Sequence, residues 1–248
     1  MEVYNRLCRL EEHHFWFQAR NRIILRMFRQ YLAHQQRPRI LEVGCGTGYV
    51  LQGLAAEKCY ELMGAEAHIA GLRHAQRRLP GVEFVQLDAR DLPYESEFDA
   101  VGAFDVIEHI TEDEAVLASI CHALKPGGII VVTVPQHQWL WSSVDEQARH
   151  KRRYARQELL AKFAAAGFDV LRITSFVMTL LPVLYVMRLS KRPRCTTASD
   201  IDWSELEISR VANAVCSAAM RIDETLITAG ISLPAGGSLL AIGRKRES

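Results

Sequence analysis

The residues that could do chemistry fall into three short runs. Glu42-Val43-Gly44-Cys45-Gly46-Thr47-Gly48 sets an acid two positions ahead of three glycines at alternate positions. Glycine accepts positive φ and lets a ligand approach the backbone without a Cβ in the way. A dinucleotide fingerprint, G-x-G-x-x-G, would need a third glycine at position 49, where Tyr49 stands. Glu42 also suits a pyrophosphate poorly and suits a ligand with a positive end, such as an ammonium or a sulfonium. The second run is a pair of acids after apolar segments, Glu66 and Asp88. A carboxylate at the end of a second strand can accept both ribose hydroxyls of an adenosine. The third run is rich in proton acceptors: Asp105, Glu108 and His109, then His137, His150 and Tyr154. His109 leads as a general base, with His150 and Tyr154 beside it. A structural histidine at a helix start is the competing reading of His109. Asp105, Glu108, His109 and His150 are also ligand types for a divalent metal.

Elements that would carry these runs can be placed by periodicity. Residues 6–34 read as one helix with an aromatic stripe. The apolar segment before Glu42 is a first strand, and Tyr49, Val50, Leu51 and Leu54 open a helix after the loop. Further strands are expected at 60–66, 82–87, 98–104, 129–135, 168–174 and 237–243. Phe104 ends the fourth. Pro80-Gly81, Lys125-Pro126-Gly127-Gly128 and Gly167 punctuate the helices between them. Thr111 and Glu114 have the spacing of a capping box. The alternation of strand and helix predicts a doubly wound α/β sheet, with ligands at the carboxyl ends of its strands.

Glu42-Val-Gly-Cys-Gly-Thr-Gly48, with Asp105-x-x-Glu108-His109 and Leu124-Lys-Pro-Gly-Gly128, resembles the motifs of class I S-adenosylmethionine (SAM)-dependent methyltransferases. The resemblance covers roughly 10–176 and the last strand. It implies a Rossmann-like, seven-stranded, mostly parallel sheet with an antiparallel last strand and helices on both faces. It implies SAM as cofactor, leaving as S-adenosylhomocysteine. The residues it assigns to that ligand are Arg20, Glu42, Gly44, Cys45, Gly46, Gly48, Glu66, Asp88, Ala89 and Phe104. Arg20, in His13-His-Phe-Trp-Phe17-x-x-Arg20, is expected to pair the SAM carboxylate, and Asp88 the adenine amino group, with the next backbone amide on the ring. Many members carry D-x-x-E-H without a metal, so no resident metal is assigned.

The chain reads as one domain: a helical lid at 1–36, a SAM-binding core at 37–176, an insertion at 177–236 and the last strand and tail at 237–248. A composition of 49% hydrophobic and 24% charged residues, with net charge +1, points to no nucleic-acid partner. Six cysteines without CxxC pairing read as reduced thiols of a cytoplasmic protein. Some sixty residues between the sixth and seventh strands depart from the minimal pattern. Residues 175–189 are strongly apolar and broken at Pro182, and Arg188, Lys191, Arg192 and Arg194 follow or close them. Three readings stand: a cap over an apolar acceptor, a homodimer contact, or a peripheral contact with the inner membrane face across 175–194. Residues 191–199 are expected to be disordered. The function expected is methyl transfer to a small or lipid-like, partly apolar acceptor. Its rivals are a non-catalytic SAM-fold or membrane-docked partner protein and, more weakly, a nicotinamide-dependent oxidoreductase.

Overall fold

The computed structural model describes residues 2–190 and 208–247. Seven strands form one sheet: β1 (Arg39–Val43), β2 (Glu61–Glu66), β3 (Glu83–Gln86), β4 (Phe98–Phe104), β5 (Leu124–Pro135), β6 (Phe168–Phe176) and β7 (Ser238–Lys245). Their spatial order is β3-β2-β1-β4-β5-β7-β6. β7 runs antiparallel to both β5 and β6, and the remaining pairs are parallel. This is the expected fold class. Central strands are buried on both faces, which is why they read as continuous apolar runs rather than alternating ones. Successive side chains still part company: Ile40 enters one core and Leu41 the other. The first core is filled by Ile24, Met27 and Phe28 from one side and Leu51 and Leu54 next to them, the second by Leu117, Ile120, Leu159 and Phe163.

Helices α1 (Glu2–His13) and α2 (Phe15–Tyr31) precede the sheet. The single helix expected over 6–34 is therefore two. His14 is extended (φ −81°, ψ 131°) and its ring accepts the Trp16 N–H, capping α2. Then come α3 (Tyr49–Ala55), α4 (Ile69–Arg78), α5 (Asp113–Ala123), α6 (Ser143–Gln147) and α7 (Arg156–Ala165). α5 starts at Asp113 after Glu112, with no side-chain cap, so the expected Thr111–Glu114 box does not form.

The insertion supplies α8 (Leu181–Ser190) and α9 (Arg210–Thr228). Pro182 lies in the first turn of α8, where its missing N–H costs no helical bond, so it does not break the segment. The disorder expected at 191–199, and the basic side chains from Arg188 to Arg194, lie outside the described residues and side chains. The apolar run divides. Phe176, Val177 and Leu180 are buried, while Val183, Tyr185, Val186 and Met187 are exposed. α9 packs along α2. Arg22 forms a two-pronged pair with Glu224, and Asn213 bridges the helix break by donating to the His13 carbonyl and accepting the Phe15 N–H. Asp223, fully buried on α9, accepts from the Met178 N–H at 2.6 Å, the Thr179 N–H at 3.2 Å and the Thr179 hydroxyl. One carboxylate thus fastens α9 to the chain entering α8. Asp223→Ala would leave those donors buried without an acceptor. It should lower unfolding free energy by about 3 kcal/mol, read as a reduced urea midpoint; an unchanged midpoint would remove Asp223 from this role.

Candidate functional site

The loop after β1 is held in shape by its glycines. Gly44, Gly46 and Gly48 all have positive φ, at +66°, +52° and +77°. A Cβ on Gly44 would fall 2.5 Å from Val106 Cγ2, so the turn following β4 packs directly on the loop. A Cβ on Gly46 would meet nothing within 4 Å. Gly46 is thus the position where the loop backbone faces open space. The buried Cys45 donates its N–H to the Ala65 carbonyl at 3.0 Å, tying the loop to β2. Glu66, at the end of β2, accepts the Gly46 N–H at 2.9 Å and the His68 N–H at 2.8 Å. Glu42 is buried beneath the loop, and its Oε2 has no hydrogen-bond partner. Burial pushes its carboxyl up to about 8 against the pull of nearby Arg20.

Arg20 reaches the same place from α2. It is buried, donates to Asp105, and lies over the Trp16 and Phe17 rings at 4.8 and 5.7 Å. Its Nε is buried without a partner. Asp105 leaves β4 in the left-handed region (φ 56°) and also accepts the Thr133 hydroxyl at 3.0 Å. Asp88 stands exposed beyond β3, gripped by Arg90, whose hydrogen bonds hold it down to about 2. Ala89 and Phe104 are buried, Phe104 edge-on to Phe28 at 6.2 Å. Glu11 was not read from the sequence. From α1 it accepts the Thr47 hydroxyl at 2.6 Å and an Arg78 N–H at 2.9 Å, pinning α1 onto the loop. Its two partners come from distant segments, so no local spacing announces them.

Beside the loop lies a second group. Ile107–His109 is a 3-10 turn at the carboxyl end of β4. It presents Glu108 and His109. Glu108 is fully buried, and neither carboxylate oxygen has a hydrogen-bond partner. Burial, then neighbouring Asp105, pushes it well above the usual carboxylate range. His109 has an exposed edge, yet protein atoms crowd its ring. That crowding, then His150, holds its imidazole down to about 4, so it is neutral at pH 7. The two rings meet edge to face, 4.7 Å between centroids. His150 Nδ1 lies 2.8 Å from Asp145 Oδ1. Asp145 is fully buried on α6 and also accepts from Arg153 (2.8 and 2.9 Å) and from Ser142. Burial would raise its carboxyl, but His150 and Arg153 outweigh that and hold it down to about 2. His150 is therefore oriented through Nδ1, with Nε2 left to face its neighbours. The sequence marks Asp145 as polar but not as a partner of His150, because the bond closes only when α6 forms.

Tyr154 corrects an expectation. Its ring is wholly buried, and its hydroxyl donates to Asp113 at 2.6 Å. Burial and that carboxylate push its pKa upward. A phenol so placed braces α5 and cannot reach an acceptor as a base. His137 is drawn to the other side, stacked on Trp139 at 5.2 Å. A surface hollow of about 410 Å³ on α9, lined by Arg221, Glu224, Thr225, Thr228 and Ala229, contains none of these residues.

Comparison with known proteins bears on this arrangement. The family model described as "Methyltransferase domain" matches residues 11–173. A probable S-adenosylmethionine-dependent methyltransferase of Mycolicibacterium smegmatis is 30% identical over 65% of this chain and 62% of its own length. A ubiquinone biosynthesis O-methyltransferase of a Bradyrhizobium species is 29% identical over 41% of each. The chain thus spans less than two thirds of these curated relatives. The crystal structure of the [4+2]-cyclase SpnF aligns over 94% of this chain and 84% of its own, with TM-score 0.63 and 23% identity, a likeness of fold.

Glu42 has a measurable consequence. Its folded pKa of about 8 lies above the ordinary 4.5. The unfolded chain gives up this proton first, so the fold loses stability as pH rises from 4.5 through 8. Glu42→Gln removes that titration. Wild type should lose on the order of 3 kcal/mol relative to Glu42→Gln between pH 5 and pH 8.5. The difference is read from paired urea melts, which cancels contributions of the same sign from Glu11 and Glu108. A pH-independent difference would show that Glu42 is not buried in this way.

Proposed function

The chain belongs to the class I S-adenosylmethionine-dependent methyltransferases, and from that premise we propose that it methylates a small or lipid-like, partly apolar acceptor. The observation that carries the reading is the pairing of Gly46, which faces open space, with a buried, unpartnered carboxylate oxygen on Glu42. That combination suits a cationic ligand and opposes a pyrophosphate, which sets the nicotinamide alternative aside. SAM supplies an activated methyl group on a sulfonium.

The chain's own residues then have distinct work. Gly44, Cys45, Gly46 and Gly48 form the cradle, and Glu66 faces the ribose from the end of β2. Arg20, through its unpartnered Nε, and Glu42 hold the charged amino-acid end. Asp88, Ala89 and Phe104 border the adenine and methyl sides. In-line displacement needs alignment and exclusion of water more than strong acid–base chemistry. α1, pinned by Glu11 to Thr47, and α2 close over the loop and provide that exclusion. On the acceptor side, His109 and the Asp145-oriented His150 promote loss of the acceptor proton.

Support for an apolar acceptor comes from the neighbouring surface. Trp139 is half-exposed and meets Tyr185 of α8 edge-on at 5.6 Å, with Val183, Val186 and Met187 open beside it. Trp and Tyr suit a boundary between apolar and wet surroundings. With the basic residues that follow in sequence, this face is proposed to draw the acceptor from the inner membrane surface. Among the described residues no helix is long and apolar enough to cross a membrane.

Calorimetry tests the cofactor assignment. SAM and S-adenosylhomocysteine should bind with about −8 kcal/mol, and NAD should not. Gly46→Val should abolish binding. His109→Ala and His150→Ala should keep SAM affinity while turnover of a quinol or phenolic lipid acceptor falls about a hundredfold. Tight NAD binding without SAM binding would overturn the reading.

A further inference from the structure

We propose that Glu108, His109 and His150 form a binding site for a divalent first-row transition cation beside the SAM loop. One ligand atom from each lies within 4.8 Å of the others. The set is one carboxylate and two imidazoles, a donor combination that suits zinc, cobalt, manganese or iron better than magnesium or calcium.

Glu108 supplies the second, independent observation. It is fully buried, and both of its oxygens lack any hydrogen-bond partner in the protein. A buried carboxylate without partners is costly, and buried charges are ordinarily paired or coordinate metals. Nearby cations do not meet it. Arg20 is committed to Asp105, and Arg153 is committed to Asp145. The carboxylate faces two imidazoles instead.

The surroundings have the character of a ligand-orienting shell. Asp145 holds His150 at Nδ1, which leaves Nε2 as the ligating atom. A metal-bound histidine commonly carries such a carboxylate on its other nitrogen. His109 has the backbone carbonyls of Ala148 and Arg149 beside its ring. Asp105 is outside the set, since Arg20 and Thr133 occupy its Oδ2. Three protein ligands leave coordination positions for water or substrate, the arrangement of a reactive rather than a purely structural site.

The consequence rests on the methyltransferase reading. An acceptor hydroxyl oxygen on the cation would be acidified there. Its O–H bond breaks and the proton goes to solvent. The oxygen then takes the methyl group as the S–CH₃ bond breaks, and the neutral thioether leaves. Oxygen acceptors, phenols and enols above all, are therefore the substrate class this site favours.

The test uses the full chain after dialysis against a chelator. Co²⁺ is titrated by visible absorption, and Zn²⁺ and Mn²⁺ by calorimetry. Wild type should bind one equivalent. Glu108→Gln, His109→Gln and His150→Gln should each weaken binding at least tenfold, and Asp145→Asn should weaken it tenfold or more by releasing His150. S-adenosylhomocysteine binding, measured on every variant, reports that the fold is intact. A stray site at Cys8 and His74, 3.7 Å apart, would be untouched by Glu108→Gln and is removed in a His74→Ala background. Wild type that binds S-adenosylhomocysteine but no metal, or metal affinity that survives all three ligand substitutions, overturns the proposal. Metal binding without any SAM binding would instead overturn the methyltransferase reading and leave the cation site standing.

Discussion

Negative charge crowded at one end of the sheet is the constraint on which the rest depends. β1, β2 and β4 are neighbours and run parallel, so they all leave the sheet at the same end. Their exits carry Glu42, Glu66, Asp105 and Glu108, three of them buried and the fourth partly so. Removing carboxylates from water is expensive unless each finds a partner. Glu66 takes two backbone N–H groups, and Asp105 takes Arg20 and Thr133. Glu42 and Glu108 keep oxygens without partners. Their carboxyls are pushed upward for that reason, and each marks a place where a positive group would be stabilised.

Arg20 makes the N-terminal segment part of this balance. It brings a cation from α2 over the end of β4, and α2 is held in turn by α9 through Arg22–Glu224 and Asn213. The insertion is therefore more than an appendage between β6 and β7. It braces the helix that delivers the arginine, while Asp223 joins α9 to the start of α8. One end of the insertion thus supports α2, and the exposed face of α8 adjoins Trp139.

What could be read along the chain is what local spacing encodes. Alternate glycines after an apolar strand need only their neighbours to dictate positive φ and an open backbone, so Gly44, Gly46 and Gly48 were legible. The runs forming β1, β4 and β5 announced buried parallel strands, because helices on both faces demand apolar residues at every position. Glu42, Glu66 and Asp88 could be placed at strand ends for the same reason. The single helix over 6–34 failed at His14, where a side-chain cap outcompeted helical continuity.

Contacts between distant segments were decided by the tertiary structure. Glu11 meets Thr47 and Arg78, Arg20 meets Asp105, and His150 meets Asp145 only once α6 forms. Tyr154 shows the same limit from the other side. Its residue type and place in a polar loop suggest chemistry, yet the fold buries it against Asp113. Residue type and spacing determined which groups stand at the carboxyl ends of the strands. Burial determined which of them are left without partners, and that depends on every helix packed above them.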